Sequence, residues 1–236
     1  DIAYFFSDNK VHKLDNTTWT STVLTLPSNL VITDAEAVGN LLAIACQPVP
    51  NDRAGKSVVF LWDRDSTVTT MSGKIDWGEG NVLYIAMLDG KLIGITDYYL
   101  NSALALNREG MIIKQAVGER AATVNMKEQP PNSSNLRFYP NTFTAGYAQK
   151  IVKDSKLYFP VATTDGGGTT KRGVGVVDSQ GNFTLDFVEE EASSIEGIFL
   201  LGSHWFIAHS LDGSVNRTDD SASFTHTSIY ETRILN

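Results

Sequence analysis

Leu41-Leu42-Ala43-Ile44-Ala45-Cys46, followed by Ser57-Val58-Val59-Phe60-Leu61-Trp62-Asp63-Arg64-Asp65, decides the fold. Both are short apolar runs rich in branched residues, and the second breaks into a polar turn at Asp63. A helix would need apolar residues recurring every three to four positions over a longer span, whereas short runs between turn residues read as buried strands. Upstream, Leu30 to Ala37 reads as a preceding strand. The local unit is therefore an apolar strand, a turn, a second strand, a third strand, a tight polar turn and a fourth strand.

The same unit recurs outward in both directions. Second-strand runs fall at Ile2 to Phe6, Leu41 to Ala45, Leu92 to Thr96, Leu157 to Val161 and Trp205 to His209. Third strands run into Leu14-Asp15-Asn16-Thr17, Trp62-Asp63-Arg64-Asp65, Leu106-Asn107-Arg108-Glu109-Gly110, Val177-Asp178-Ser179-Gln180-Gly181 and Arg217-Thr218-Asp219-Asp220. Asn, Asp and Gly tolerate the left-handed backbone of a tight hairpin. First strands read at Leu30 to Ala37, Val82 to Leu88, Gln149 to Val152 and Ser194 to Leu201, and the opening copy lacks one.

A repeated four-stranded antiparallel unit is the signature of a β-propeller, in which each sheet buries both faces against its neighbours. The sequence predicts an all-β, five-bladed β-propeller forming a single domain over residues 1–236. Its ring is expected to close by pairing of the N- and C-terminal strands, with Thr232-Arg233-Ile234-Leu235 supplying the missing strand and removing an exposed sheet edge. A sandwich of consecutive hairpins is the alternative, and it explains neither the repeat nor the leftover strand. The chain opens at Asp1, directly inside a strand-like run, which reads as a processed product or a domain of a longer protein.

Apolar residues make up 42% of the chain and charged residues 19%, a globular balance that excludes a disordered tail or a coiled coil. No apolar run reaches the roughly 20 residues of a membrane helix. The net charge of -8, with scattered Lys and Arg, repels a phosphate backbone, so no nucleic-acid partner is expected. Cys46 lies in an apolar run and reads as a small buried hydrophobe. The four histidines, His12, His204, His209 and His226, show no metal-site spacing. No metal and no cofactor is expected. No nucleophile elbow or phosphate-binding glycine loop is present, and Asp165-Gly166-Gly167-Gly168-Thr169-Thr170 reads as a flexible hairpin loop.

Arg217-Thr218-Asp219-Asp220-Ser221-Ala222-Ser223-Phe224-Thr225 resembles the Asp-box repeat of sialidase-like propellers, with Asp219, Ser223 and Phe224 on its Asp, Thr and aromatic positions. Arg217 and Ser221 depart from the pattern. Leu14-Asp15-Asn16-Thr17-Thr18-Trp19 is a shorter echo. The resemblance implies a propeller and no activity, since Asp boxes are structural. Ser57 to Asp65 and Asp76-Trp77-Gly78-Glu79-Gly80 also resemble propeller proteins of tailed bacteriophage virions.

Glycoside hydrolysis needs two carboxylates, one as acid and one as base or nucleophile. Asp34, Glu79 and Glu196 each sit in or just before a first strand, nearest the central channel, and are the catalytic candidates. Solvated strand-end acids are the plainer reading. Arg53, Arg64, Arg120, Arg137 and Arg172 form no carboxylate-clamping motif. For ligand binding, the longest break in the repeat, Glu119 to Gly146, carries Phe138, Tyr139 and Phe143, with Tyr147 just beyond. These aromatics could stack on sugars, anchor a protein partner or pack the loop onto the ring. Asp97-Tyr98-Tyr99-Leu100 is a second aromatic loop. Trp19 and Trp205 read as core, and Trp77, flanked by glycines, as the exposed binding tryptophan.

The leading expectation is a non-enzymatic structural or binding module on a virion or extracellular assembly, with the cytosol left open. Its partners would be proteins of that assembly or a surface glycan. The alternative is a glycosidase using two of Asp34, Glu79 and Glu196.

Overall fold

In the computed structural model every element among the described residues is a strand. It describes residues 2–49, 55–67, 69–71, 73–100, 108–129, 137–140, 150–164, 170–189, 192–201, 204–211 and 227–232. Within these, side chains are described up to residue 97 and for 110–126, 150–161, 174–185 and 198.

The first sheet is an antiparallel meander of β1 (Ile2–Ser7), β2 (Lys10–Asp15) and β3 (Thr18–Thr25). A second meander follows, of β4 (Leu30–Val38), β5 (Leu41–Pro48), β6 (Lys56–Trp62) and β7 (Gly73–Glu79). A third is built from β8 (Asn81–Leu88), β9 (Lys91–Leu100), β10 (Arg108–Val117) and β11 (Arg120–Gln129). Asp76 and Arg120 make the one parallel bridge between the second and third meanders, joining their outer strands. In the fourth group β14 (Lys156–Thr164) pairs with β12 (Arg137–Pro140), β13 (Ile151–Lys153) and β15 (Thr170–Asp178), and β15 with β16 (Phe183–Glu189). The last is β17 (Ala192–Leu201), β18 (His204–Leu211) and β19 (Thr227–Thr232).

Most strands read from the sequence lie where expected, because alternation on a pleated strand sends successive side chains to opposite sheet faces. The corrections are Arg108-Glu109-Gly110, expected in a turn and found at the start of β10, and Arg120 to Gln129, expected in a break of the repeat and found as β11. In β5, Ile44 and Cys46 face a cluster with Val11, Leu24 and Trp62, while Ala43 and Ala45 face another with Val82, Ile85 and Trp77. The third meander then packs Ile93, Ile95, Met111 and Ile113 onto Leu157, Phe159 and Val177 of the fourth group. The first four strand groups are thus stacked face to face in chain order, the second and third buried on both sides, and a large aliphatic side chain so buried contributes about 1.5–3 kcal/mol. Cys46 is fully buried, as its apolar run predicts, and burial pushes its thiol up, away from reactivity.

Carboxylates fasten the hairpins. Asp63 accepts bonds from the amides of Asp65 and Ser66, and Asp178 from those of Gln180 and Asn182. This is Asx-type capping; Asp219, on the Asp position of the Asp-box resemblance, lies outside the described residues. At the corner from β7 into β8, buried Ser57 donates to the carbonyl of Gly80 and accepts from the amide of Val82 at 3.0 Å.

The first strands share a detail. β4 is bulged at Thr33, β8 at Leu83 and β17 at Glu196, and each bulge stands five positions before the last residue paired in its hairpin, Val38, Leu88 and Leu201. Bulges bend a strand and re-aim its side chains.

Of the strand expected to close the ring, Thr232 alone is described: it stands opposite Trp205 of β18 in the last sheet, and among the described residues β1 pairs with β2 alone. Arg233-Ile234-Leu235 lie outside the described residues.

Candidate functional site

Three first strands come together around Asp34. Its Oδ1 accepts the amide of Ala35 at 2.8 Å, and its Oδ2 accepts the amide of Ile85 in β8 at 2.8 Å and the Nζ of Lys150 at 2.7 Å. Lys150 immediately precedes β13. Its ammonium also donates to Glu36 Oε2 at 2.9 Å, to the carbonyl of Ala35 at 3.2 Å and to the carbonyl of Ile85. Beside them the Thr33 hydroxyl donates to the carbonyl of Val82 at 2.6 Å, tying β4 to β8 a second time.

The charges are sheltered. The Asp34, Glu36 and Lys150 side chains are 16%, 21% and 15% exposed. Burial pushes the Asp34 carboxyl above the usual carboxylate range; the Lys150 charge and the Ile85 and Ala35 amides oppose that rise without cancelling it. Tyr84 is raised too, first by burial and then by the negative charge of Asp34. A carboxylate offers about four lone-pair positions, and the three bonds Asp34 accepts among the described residues leave one for a further donor, on Oδ1.

Of the carboxylates expected to converge, Asp34 is on an inner strand. Glu79 is not: it ends β7, the fourth strand of its meander, opposite Lys56, with its side chain exposed and its carbonyl taken by Lys114 Nζ at 2.7 Å. Two intervening strands separate β7 from β4. Glu196 occupies in β17 the bulge position that Thr33 holds in β4. Glu36 and Lys150 completed the cluster unannounced. The signal for Glu36 was the Asp34-Ala35-Glu36 spacing, which puts two acids on one side of a strand; no local pattern marks Lys150.

The aromatic expectations fare differently. Trp77 is fully buried, its indole N–H donating to Thr96 Oγ1 at 2.9 Å, so its ring is closed to a ligand. The flanking glycines admit close packing within the protein instead. Trp19, expected in the core, is 53% exposed and stacks on His12 with ring centroids 5.7 Å apart. Asp97-Tyr98-Tyr99-Leu100 is part of β9, with Tyr98 opposite Gly110, and not a loop. Phe138 and Tyr139 lie on β12 opposite Thr163 and Ala162, while Phe143 and Tyr147 fall outside the described residues. Among the described residues no three His, Cys, Asp or Glu side chains gather as a metal site, and no helix is long and apolar enough to cross a membrane.

No protein-family model and no curated protein matches the sequence. Solved structures do. The α-L-arabinanase of Penicillium chrysogenum, complexed with arabinobiose, superposes with a TM-score of 0.51 at 10% identity over 89% of this chain and 65% of its own. The GH93 α-L-arabinofuranosidase of Fusarium graminearum, also with arabinobiose, gives 0.52 at 7% identity over 97% and 71%. The Trypanosoma rangeli sialidase gives 0.48 at 14% identity over 100% and 41%. The chain therefore has a propeller-type fold and spans just under two thirds of the arabinanase. The expectation of a non-enzymatic module is corrected here: the two solved chains that superpose with TM-scores of 0.51 and 0.52 are an α-L-arabinanase and an α-L-arabinofuranosidase.

Proposed function

We propose that the chain is a glycoside hydrolase of propeller fold, its strand groups forming five blades of one domain, and that it cleaves a surface or extracellular glycan. The observation that supports this best is the Asp34 carboxylate, presented from an inner strand, oriented by the amides of Ala35 and Ile85 and by Lys150, with a lone pair of Oδ1 left over. Such a group is aimed as the base or nucleophile of glycoside cleavage must be, with the Lys150 charge favouring its ionised form against burial.

The acid is assigned to Glu196, which the register puts at the bulge of another first strand. In the reaction Glu196 gives its proton to the glycosidic oxygen as the bond to the anomeric carbon breaks. Asp34 either takes a proton from the attacking water or bonds that carbon itself, according to the separation of the two carboxylates. The arabinobiose bound by two of the fold's relatives makes arabinosides the first substrates to try.

The test is turnover of aryl arabinofuranosides, aryl sialosides and arabino-oligosaccharides by the purified protein. Asp34→Asn and Glu196→Gln are each expected to lower kcat by at least about 100-fold, while Glu79→Gln leaves it unchanged. Failure to turn over any of these glycans, or turnover indifferent to both substitutions, overturns the reading.

A further inference from the structure

Lys150 holds a special register position. It stands three residues before Lys153, the last residue paired in the β13 hairpin, as Ala35 stands three before Val38 and Ile85 three before Leu88. Corresponding positions in three successive first strands thus carry Ala35, Ile85 and Lys150. The lysine ammonium donates to the backbone carbonyls of the other two, and to Asp34 and Glu36 besides. A group that bonds the same carbonyl in two consecutive sheets from the matching place in a third sits where the strands converge.

The chemistry there is lopsided without it. Two carboxylates and two carbonyls present only oxygen, and Asp34 and Glu36 would repel each other in a sheltered setting. Among the described residues the groups facing Asp34 are Lys150 from the approach to β13, Glu36 from its own strand and Tyr84 from β8. Lys150 is the one cation among these.

We propose that Lys150 is a positioning residue, a tethered ammonium that binds three consecutive sheets together at their inner strands and keeps the Asp34 carboxylate ionised and in its observed rotamer. The inference deepens the glycosidase reading, on which only its catalytic consequence rests.

The test uses Lys150→Ala in the full chain, with two readouts that need no substrate: the midpoint of thermal unfolding and the titration of the Asp34 side-chain carbon followed by NMR. Losing an opposite charge at this distance is expected to raise the Asp34 midpoint by about one to three pH units and to lower the unfolding midpoint. Adding n-propylammonium, which matches the three carbons and ammonium removed beyond Cβ and restores the charge, is expected to reverse both changes, and n-propanol neither. An Asp34 titration indifferent to the substitution, or equal rescue by the neutral alcohol, overturns the proposal, since space filling would then be the whole role. If Lys150→Ala does not fold, Lys150→Gln retains a donor without charge and must show the same rise. Absence of glycan turnover bears on the proposed function and leaves these readouts standing.

Discussion

The indole of Trp77 lies directly over the α-carbon of Gly94: a Cβ added at Gly94 would stand 2.4 Å from Cζ2 of the ring. The fourth strand of one meander thereby packs on the second strand of the next with no room for a methyl group. Trp77 cannot retreat, because it is fully buried and tied to Thr96. Gly94→Ala is expected to cost about 3 kcal/mol, the upper end of overpacking, in urea unfolding. In a Trp77→Phe background the same change should cost measurably less, because the smaller phenyl ring lacks the fused benzo part of the indole, whose Cζ2 meets the new methyl. Equal costs in both backgrounds would show that the contact does not limit the site.

Lys114 crosses the same boundary. It is 6% exposed, and its ammonium donates to the carbonyls of Trp77 at 2.6 Å and Glu79 at 2.7 Å. Burial lowers its pKa to about 8 from 10.5, against the pull of Glu79 and Asp76. The folded state therefore binds fewer protons than the unfolded state between those two values, and stability must rise with pH across that window. Seen from the other side, the contribution is complete above pH 10.5 and is lost as the pH falls through about 8. Urea unfolding at pH 7, 9 and 10 should show this rise in the parent protein relative to Lys114→Met. Parallel curves for the two proteins would refute the assignment.

These two contacts mark where the sequence stops being informative. Alternation gave the strands and their two faces: Leu41 to Ala45, Leu92 to Thr96 and Leu157 to Val161 fall inside β5, β9 and β14, and Asp63 and Asp178 close hairpins. A period of two tells which side of a sheet a residue takes, and not what will cover that side. Trp77 looked exposed because glycines and acids flank it, yet Gly94, seventeen residues on, is what makes its slot. Trp19 looked buried by analogy with a packing aromatic, but it lies on the face of the first sheet that carries exposed Phe5.

The candidate site divides along the same line. Asp34 was legible because an acid inside an apolar first strand is costly and needs a reason. Glu79 was misread because its position before β8 in sequence places it, in space, at the end of an outer strand. Lys150 could not be found by local pattern at all: its partners are 114 to 116 residues away along the chain for the β4 groups, and only the stacking of sheets unites them.

Asp34 and Glu36 share Lys150 but not its consequences. Asp34 uses both oxygens, one on Ala35 and the other on Ile85 and Lys150, so an amide in its place must turn its NH2 toward an N–H donor whichever way it flips. Asp34→Asn is expected to cost about 3 kcal/mol, as when one partner of a buried pair is removed. For Glu36 the bond to Lys150 is the one its carboxylate makes among the described residues, and the group is more exposed. An amide oxygen can accept that bond, so Glu36→Gln should cost less than about 1 kcal/mol. Chemical unfolding of the two variants at pH 7 decides the matter. A larger loss at Glu36 than at Asp34 would mean that the lysine, and not the pair of backbone amides, carries the stability of the cluster.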